Sequence, residues 1–129
     1  MKAFEQDDIL VGATLLNNPE DDHAGPGRII QYDSDLNLKG VLWTENTTHL
    51  VGGLKFDSNK DLWAFDSQNC SAIKVSPSGG QSDQADFGDR SFSNVNFLSN
   101  GELLLGEHLT GDESNNKALE GPRKLGTVL

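Results

Sequence analysis

Apolar and polar residues alternate along most of this chain in short runs, and Gly, Asn, Asp, Pro or Ser interrupts the alternation every few positions. In "GGLKFDSNKDLWAFDS", from Gly52, Leu54 and Phe56 flank a lysine, a polar turn follows, and "LWAF" then runs apolar without a break. A period of two belongs to a half-buried strand, and a short unbroken apolar run to a strand covered on both faces. No window keeps helical spacing for three turns. The pattern predicts an all-β chain with almost no helix, built of antiparallel hairpins.

The pattern repeats. "SNVNFLSNGELLLGEH", from Ser93, lies over the earlier stretch at an offset of 41 residues without a gap. Phe56 falls on Phe97, Ser58 on Ser99, Asn59 on Asn100, Asp61 on Glu102, and Leu62-Trp63 on Leu103-Leu104. A partial third copy opens the chain: "DDILVGATL", from Asp7, matches "GELLLGEHL", from Gly101, with Gly12 on Gly106. Further strands are predicted at "RIIQYD" and "LKGVLW" in the first copy and at "SAIKVS" and a weaker "QADF" in the second, with turns at "SDLN" and "PSGG". One unit is thus four short strands in about 41 residues, the size of a β-propeller blade. A single four-stranded sheet cannot bury both its faces, and stacked neighbours supply the cover.

The middle copy, "GGLKFDSNKDLWAFDSQNCSAIKVSPSG", resembles blades of the propeller group that includes NHL-repeat proteins, the gluconolactonase/regucalcin family and virginiamycin B lyase. Gly53, Phe56, Asp57, Leu62, Trp63, Pro77 and Gly79 carry the resemblance. It implies the blade architecture. It does not imply one activity, because binding modules and enzymes share the pattern. On this reading the chain is one partial propeller domain, with blade 1 over about 1–44, blade 2 over 47–87 and blade 3 over 90–129. Residues 1–4 would fall near the end of an innermost strand and residues 126–129 within a third strand, giving about two and three-quarter blades. Rings close with roughly four to eight. A piece of a longer propeller, one subunit of an oligomeric ring, and a small open stack with exposed edges are the three ways to reconcile these counts.

Charge narrows the partners. Twenty acidic residues against 10 basic give a formal net charge of -10. Such a surface disfavours nucleic acid and anionic membranes and is compatible with cations. The single cysteine, Cys70, has no partner for an internal disulfide and no activating neighbour in sequence, so a buried or loop thiol is expected. The N-terminal "MKAFEQDDILVG" lacks the apolar run of a signal peptide, and no segment resembles a membrane span, which leaves a cytoplasmic location as the default expectation.

In a propeller, ligands meet the loops that precede each first strand and those that join the second strand to the third, so these loops are where the candidates are sought. His49 and Arg90 precede first strands at equivalent positions, with Ser93 and Asn94 beside Arg90. Asp66, Glu107 and His108 follow second strands, and His23 lies in the long first loop, "LLNNPEDDHAGPG". The expected ligand site is therefore His49, Asp66, Arg90, Asn94, Glu107 and His108, taking a small molecule or a peptide. All three histidines fall on one predicted face. His23, His49, Glu107 and His108 form a candidate set for a divalent cation, with oxygen ligands suiting Ca²⁺ or Mg²⁺ and imidazole suiting Zn²⁺. The related gluconolactonases and the lyase use a metal at the channel mouth, so the resemblance adds a metal-dependent hydrolase or lyase as the alternative to a binding scaffold. "TGDESNNK" lacks the order of an EF-hand loop, and neither a G-x-S-x-G elbow nor a phosphate-binding loop is present.

Overall fold

The computed structural model describes residues 2–15, 19–20, 25–48, 53–88, 90, 92–107 and 123–125. Among the described residues, ten strands form three antiparallel sheets, and there is no helix. The first sheet comprises β1 (Ile9–Thr14), β2 (Gly27–Tyr32) and β3 (Leu38–Trp43), in that order. The second comprises β4 (Leu54–Phe56), β5 (Leu62–Asp66), β6 (Ser71–Val75) and β7 (Gln81–Asp86), also in sequence order. The third comprises β8 (Phe92–Phe97), β9 (Leu103–Glu107) and β10 (Arg123–Leu125), with β9 in the middle. No sheet closes on itself among the described residues.

The second sheet lies between the other two, and β5 explains how. Its side chains alternate across the sheet, and all five residues are buried. Leu62 and Ala64 join Ile29 of the first sheet in one core, with Ile73 and Val75. Trp63 and Phe65 join Phe92, Leu103 and Leu105 of the third sheet in the other core. The unbroken "LWAF" run is therefore a strand with two apolar faces, each met by a neighbouring sheet. Fully burying one such side chain stabilises by about 1.5–3 kcal/mol. Aromatic contacts tie the second core together: Trp63 meets Phe97 edge-on at 5.7 Å, Phe65 stacks on Phe87 at 6.0 Å, and Phe87 meets Phe92 edge-on at 4.9 Å.

At one end of the strands, four turns share one geometry. In residues 33–37, 57–61, 76–80 and 98–102 the first N–H donates to the fifth carbonyl, and the fourth N–H donates to the first carbonyl. The fourth residue has a positive φ in each: Leu36 at 64°, Lys60 at 66°, Gly79 at 92° and Gly101 at 82°. This is the tight turn followed by a left-handed residue that joins hairpin strands without splaying them. The first side chain locks three of the four. Asp33 accepts from the Asp35 and Asn37 amides, Asp57 from the Asn59 and Asp61 amides, and the Ser76 hydroxyl from the Gly80 amide. Asp57 does more: its second oxygen accepts the Trp63 indole N–H at 2.9 Å. The third sheet has Leu98 where the second has Asp57, and Leu104 where the second has Trp63. The acid and the indole are lost together, as their hydrogen bond requires.

Residues 1–4 are expected near the end of an innermost strand, but residues 2–4 form no strand. The Phe4 amide donates to the Pro77 carbonyl at 3.1 Å, and the Phe4 ring meets Phe56 edge-on at 5.4 Å. Fully buried Gln31 accepts from the Lys2 amide and donates to the Ala3 carbonyl and the Asp8 carboxylate. Lys39 bridges Asp8 and Glu5. This amino-terminal stretch is thus held across the turn end by one buried amide and a charge cluster, and β1 remains at the edge of its sheet. No helix among the described residues is long and apolar enough to cross a membrane.

Candidate functional site

The opposite end of the strands carries connections of unequal length, from residues 67–70 between β5 and β6 to residues 15–26 between β1 and β2. Asp66 terminates β5 and is buried. One carboxylate oxygen accepts the Thr48 amide at 2.6 Å, and the other accepts the Gln68 and Asn69 amides at 2.9 Å each. The Asn69 side chain reaches back to the Asn46 carbonyl. A single carboxylate thereby joins the segment leaving the first sheet to the tight connection between β5 and β6. The same segment is held to the first sheet through backbone bonds from Thr44 and to Thr47 at Gly27, and through the paired hydroxyls of buried Thr44 and Thr47. Gln81, at the start of β7, adds a clamp: its side chain accepts the Glu45 amide and donates to the Trp43 carbonyl.

Arg90 precedes β8 and is half-buried, with its guanidinium 5.2 Å from the centre of the Phe92 ring. A cation over a ring face at this distance is an attractive contact, and it holds the charge at the lip of the second core. The Arg90 amide donates to Phe87, and the Phe87 amide to Cys70. Cys70 closes the β5–β6 connection at φ 50° and is half-buried. Its carbonyl therefore aligns two connections at this end. Glycine is required where the first loop returns to β2. A Cβ on Gly25 would lie 1.8 Å from the Leu15 carbonyl oxygen, so the backbones of "GPGR" and the end of β1 could not approach.

Of the sequence-predicted site residues, Asp66 and Arg90 are described with their side chains. Asn94 and Glu107 are described by their backbone positions: Asn94 pairs with Gly106, and Glu107 ends β9 opposite Phe92. Asp66, Arg90 and Glu107 thus share the loop end of the strands. His23, His49 and His108 lie outside the described residues. No group of three or more His, Cys, Asp or Glu side chains suited to a metal ion occurs among the described residues. The carboxylate of Asp66 has a structural employment that its position in sequence did not reveal. Thr48, Gln81 and Cys70 were not among the expected residues: Thr48 and Cys70 act through backbone groups, for which side-chain type gives no signal, and the Gln81 side chain bonds the backbone of Trp43 and Glu45, both distant in sequence.

Comparison with known family models, with curated proteins and with solved structures finds no match for this chain.

Proposed function

We propose that the chain is part of a β-propeller, its three sheets being successive blades, and that it serves as a binding scaffold for a small molecule or a peptide at the loop end. The observation that carries this reading is the contrast between the two ends of the strands. Four turns at one end repeat a single hydrogen-bonded geometry, whereas the connections at the other differ in length. What repeats maintains the frame, and what does not repeat is available for recognition. Asp66 and its three amides supply a rigid base, and Arg90 supplies a guanidinium at the same end of a chain with net charge -10, a group suited to a carboxylate of the ligand. Scaffold residues fixed by buried hydrogen bonds keep the entropic cost of binding low.

The test is an array of immobilised peptides and glycans, followed by amide exchange of the chain with the best binder. Slowed exchange in residues 44–48, 67–70 and 87–90, with no change in 33–37 and 57–61, is expected. Binding that maps to the turn end would overturn the reading. A rise in melting temperature with Ca²⁺, Mg²⁺, Mn²⁺ or Zn²⁺, abolished by His49→Ala or His108→Ala, would replace it with the metal-dependent hydrolase or lyase.

A further inference from the structure

Among the described residues, the second and third sheets each have a strand with no counterpart in the first. In the second, Leu54, Lys55 and Phe56 of β4 stand opposite Ala64, Trp63 and Leu62 of β5. In the third, Val95, Asn96 and Phe97 of β8 stand opposite Leu105, Leu104 and Leu103 of β9. The sequence repeat places Ile9, Leu10 and Val11 of β1 at the same stations as Leu62, Trp63 and Ala64. Yet β1 is an edge strand, and among the described residues no strand lies along its outer side. Beside it, between the first and second sheets, is a groove of about 310 Å³ lined by Asp8, Leu10, Leu54, Lys55, Phe56 and Leu62. Ile9 and Val11 are 40% and 42% exposed, whereas Leu62 and Ala64 at the same stations are 1% and 0% exposed.

The geometry points to an interaction surface here: the free edge of β1 receives an extended segment of a partner polypeptide, added as an antiparallel strand. Backbone pairing along residues 9–13 supplies the attachment, and side-chain register supplies the selectivity. The register of the other two sheets defines the segment. Reading from its N-terminus, an aliphatic residue stands opposite Val11, the next opposite Leu10, and an aromatic residue opposite Ile9, as Val95, Asn96 and Phe97 do in β8. Directly opposed side chains share a face of the sheet. Leu10 packs against the core between the first two sheets, so the middle residue of the segment enters the groove among Leu54, Phe56 and Leu62. Lysine and asparagine fill that station in β4 and β8, but four of the six residues that line this groove, Leu10, Leu54, Phe56 and Leu62, are apolar and favour an apolar side chain. The partner motif is therefore aliphatic–apolar–aromatic.

The probe is a peptide of residues 93–99 of this chain carrying Asn96→Leu, titrated onto the whole chain while amide exchange is followed. At saturation, exchange of the exposed-edge amides within residues 9–13 is expected to slow by about tenfold or more. The unaltered 93–99 peptide should need a higher concentration, and a peptide with Val95→Ser and Phe97→Ser should have no effect. Val11→Lys in the protein, a residue type that blocks strand edges, should abolish the slowing while the cooperative melt is retained. No slowing in β1 at millimolar peptide overturns the proposal. So does equal slowing along another sheet edge, such as β7, or slowing that survives Val11→Lys.

Discussion

The second sheet and the first are built to the same plan and end in different circumstances. Both present an aliphatic pair on one face of the same strand: Leu62 and Ala64 in the second, Ile9 and Val11 in the first. The former pair is covered by a neighbouring sheet and by β4, and among the described residues the latter has neither. One station can therefore be a core position or a surface position, depending on whether the adjoining repeat is present. Stability in such a stack is a sum of each unit's own contribution and of the interfaces between units. Among the described residues, the middle sheet has two interfaces and the first has one.

The largest difference should appear in the core. Phe65→Ala removes a fully buried ring from the core against the third sheet, and a loss of about 3–5 kcal/mol is expected in urea unfolding. Its aromatic partners Trp63 and Phe87 would be left beside a cavity. A smaller loss, about 3 kcal/mol, should follow Asp66→Ala, which leaves three backbone amides without their acceptor. Its signature is local, with faster exchange at Thr48, Gln68 and Asn69 than at the β4–β5 turn.

The first sheet depends instead on a charge cluster at its turn end, where the effect is smaller and set by pH. The hydrogen bond from Lys39 to Asp8, helped by the Glu5 amide, lowers the Asp8 pKa from 3.8 to about 2. A depressed carboxylate contributes stability above its unfolded value and loses it as pH falls through the folded one. The contribution of this group should therefore be complete above about pH 4 and disappear towards pH 2. Titration of the Asp8 carboxyl by NMR should give a midpoint near 2, and Lys39→Met should move it back towards 3.8.

How much of this was readable beforehand follows from how local each signal is. The "LWAF" run carried the double burial of β5 in its own composition, because no one-sided strand would place apolar residues consecutively. The turns at 57–61 and 98–102 were visible as "DSNKD" and "LSNGE" over a common offset. Propeller closure is not a local property, and the three sheets form no ring among the described residues. The amino-terminal stretch escaped the alignment because the buried Gln31 side chain and the Pro77 carbonyl hold it, and both partners are distant in sequence. Asp66 read as a loop acid open to a ligand. Its strongest partner is the amide of Thr48, 18 residues earlier, which no pattern of residue types encodes. The three histidines that motivated a metal site lie outside the described residues, so that expectation rests on the loops' order in sequence.

The comparison can be put to one measurement. Val11 and Ala64 occupy the same station in two copies of the repeat, one 42% and the other 0% exposed. Val11→Lys and Ala64→Lys should be compared by urea unfolding under identical conditions. The account expects Val11→Lys to cost less than about 1 kcal/mol, as for a surface position. Ala64→Lys, by burying an unpaired ammonium group between two sheets, should abolish the cooperative transition. Equal losses in the two variants, or a tolerated Ala64→Lys, would contradict the view that these sheets are equivalent units distinguished by their neighbours.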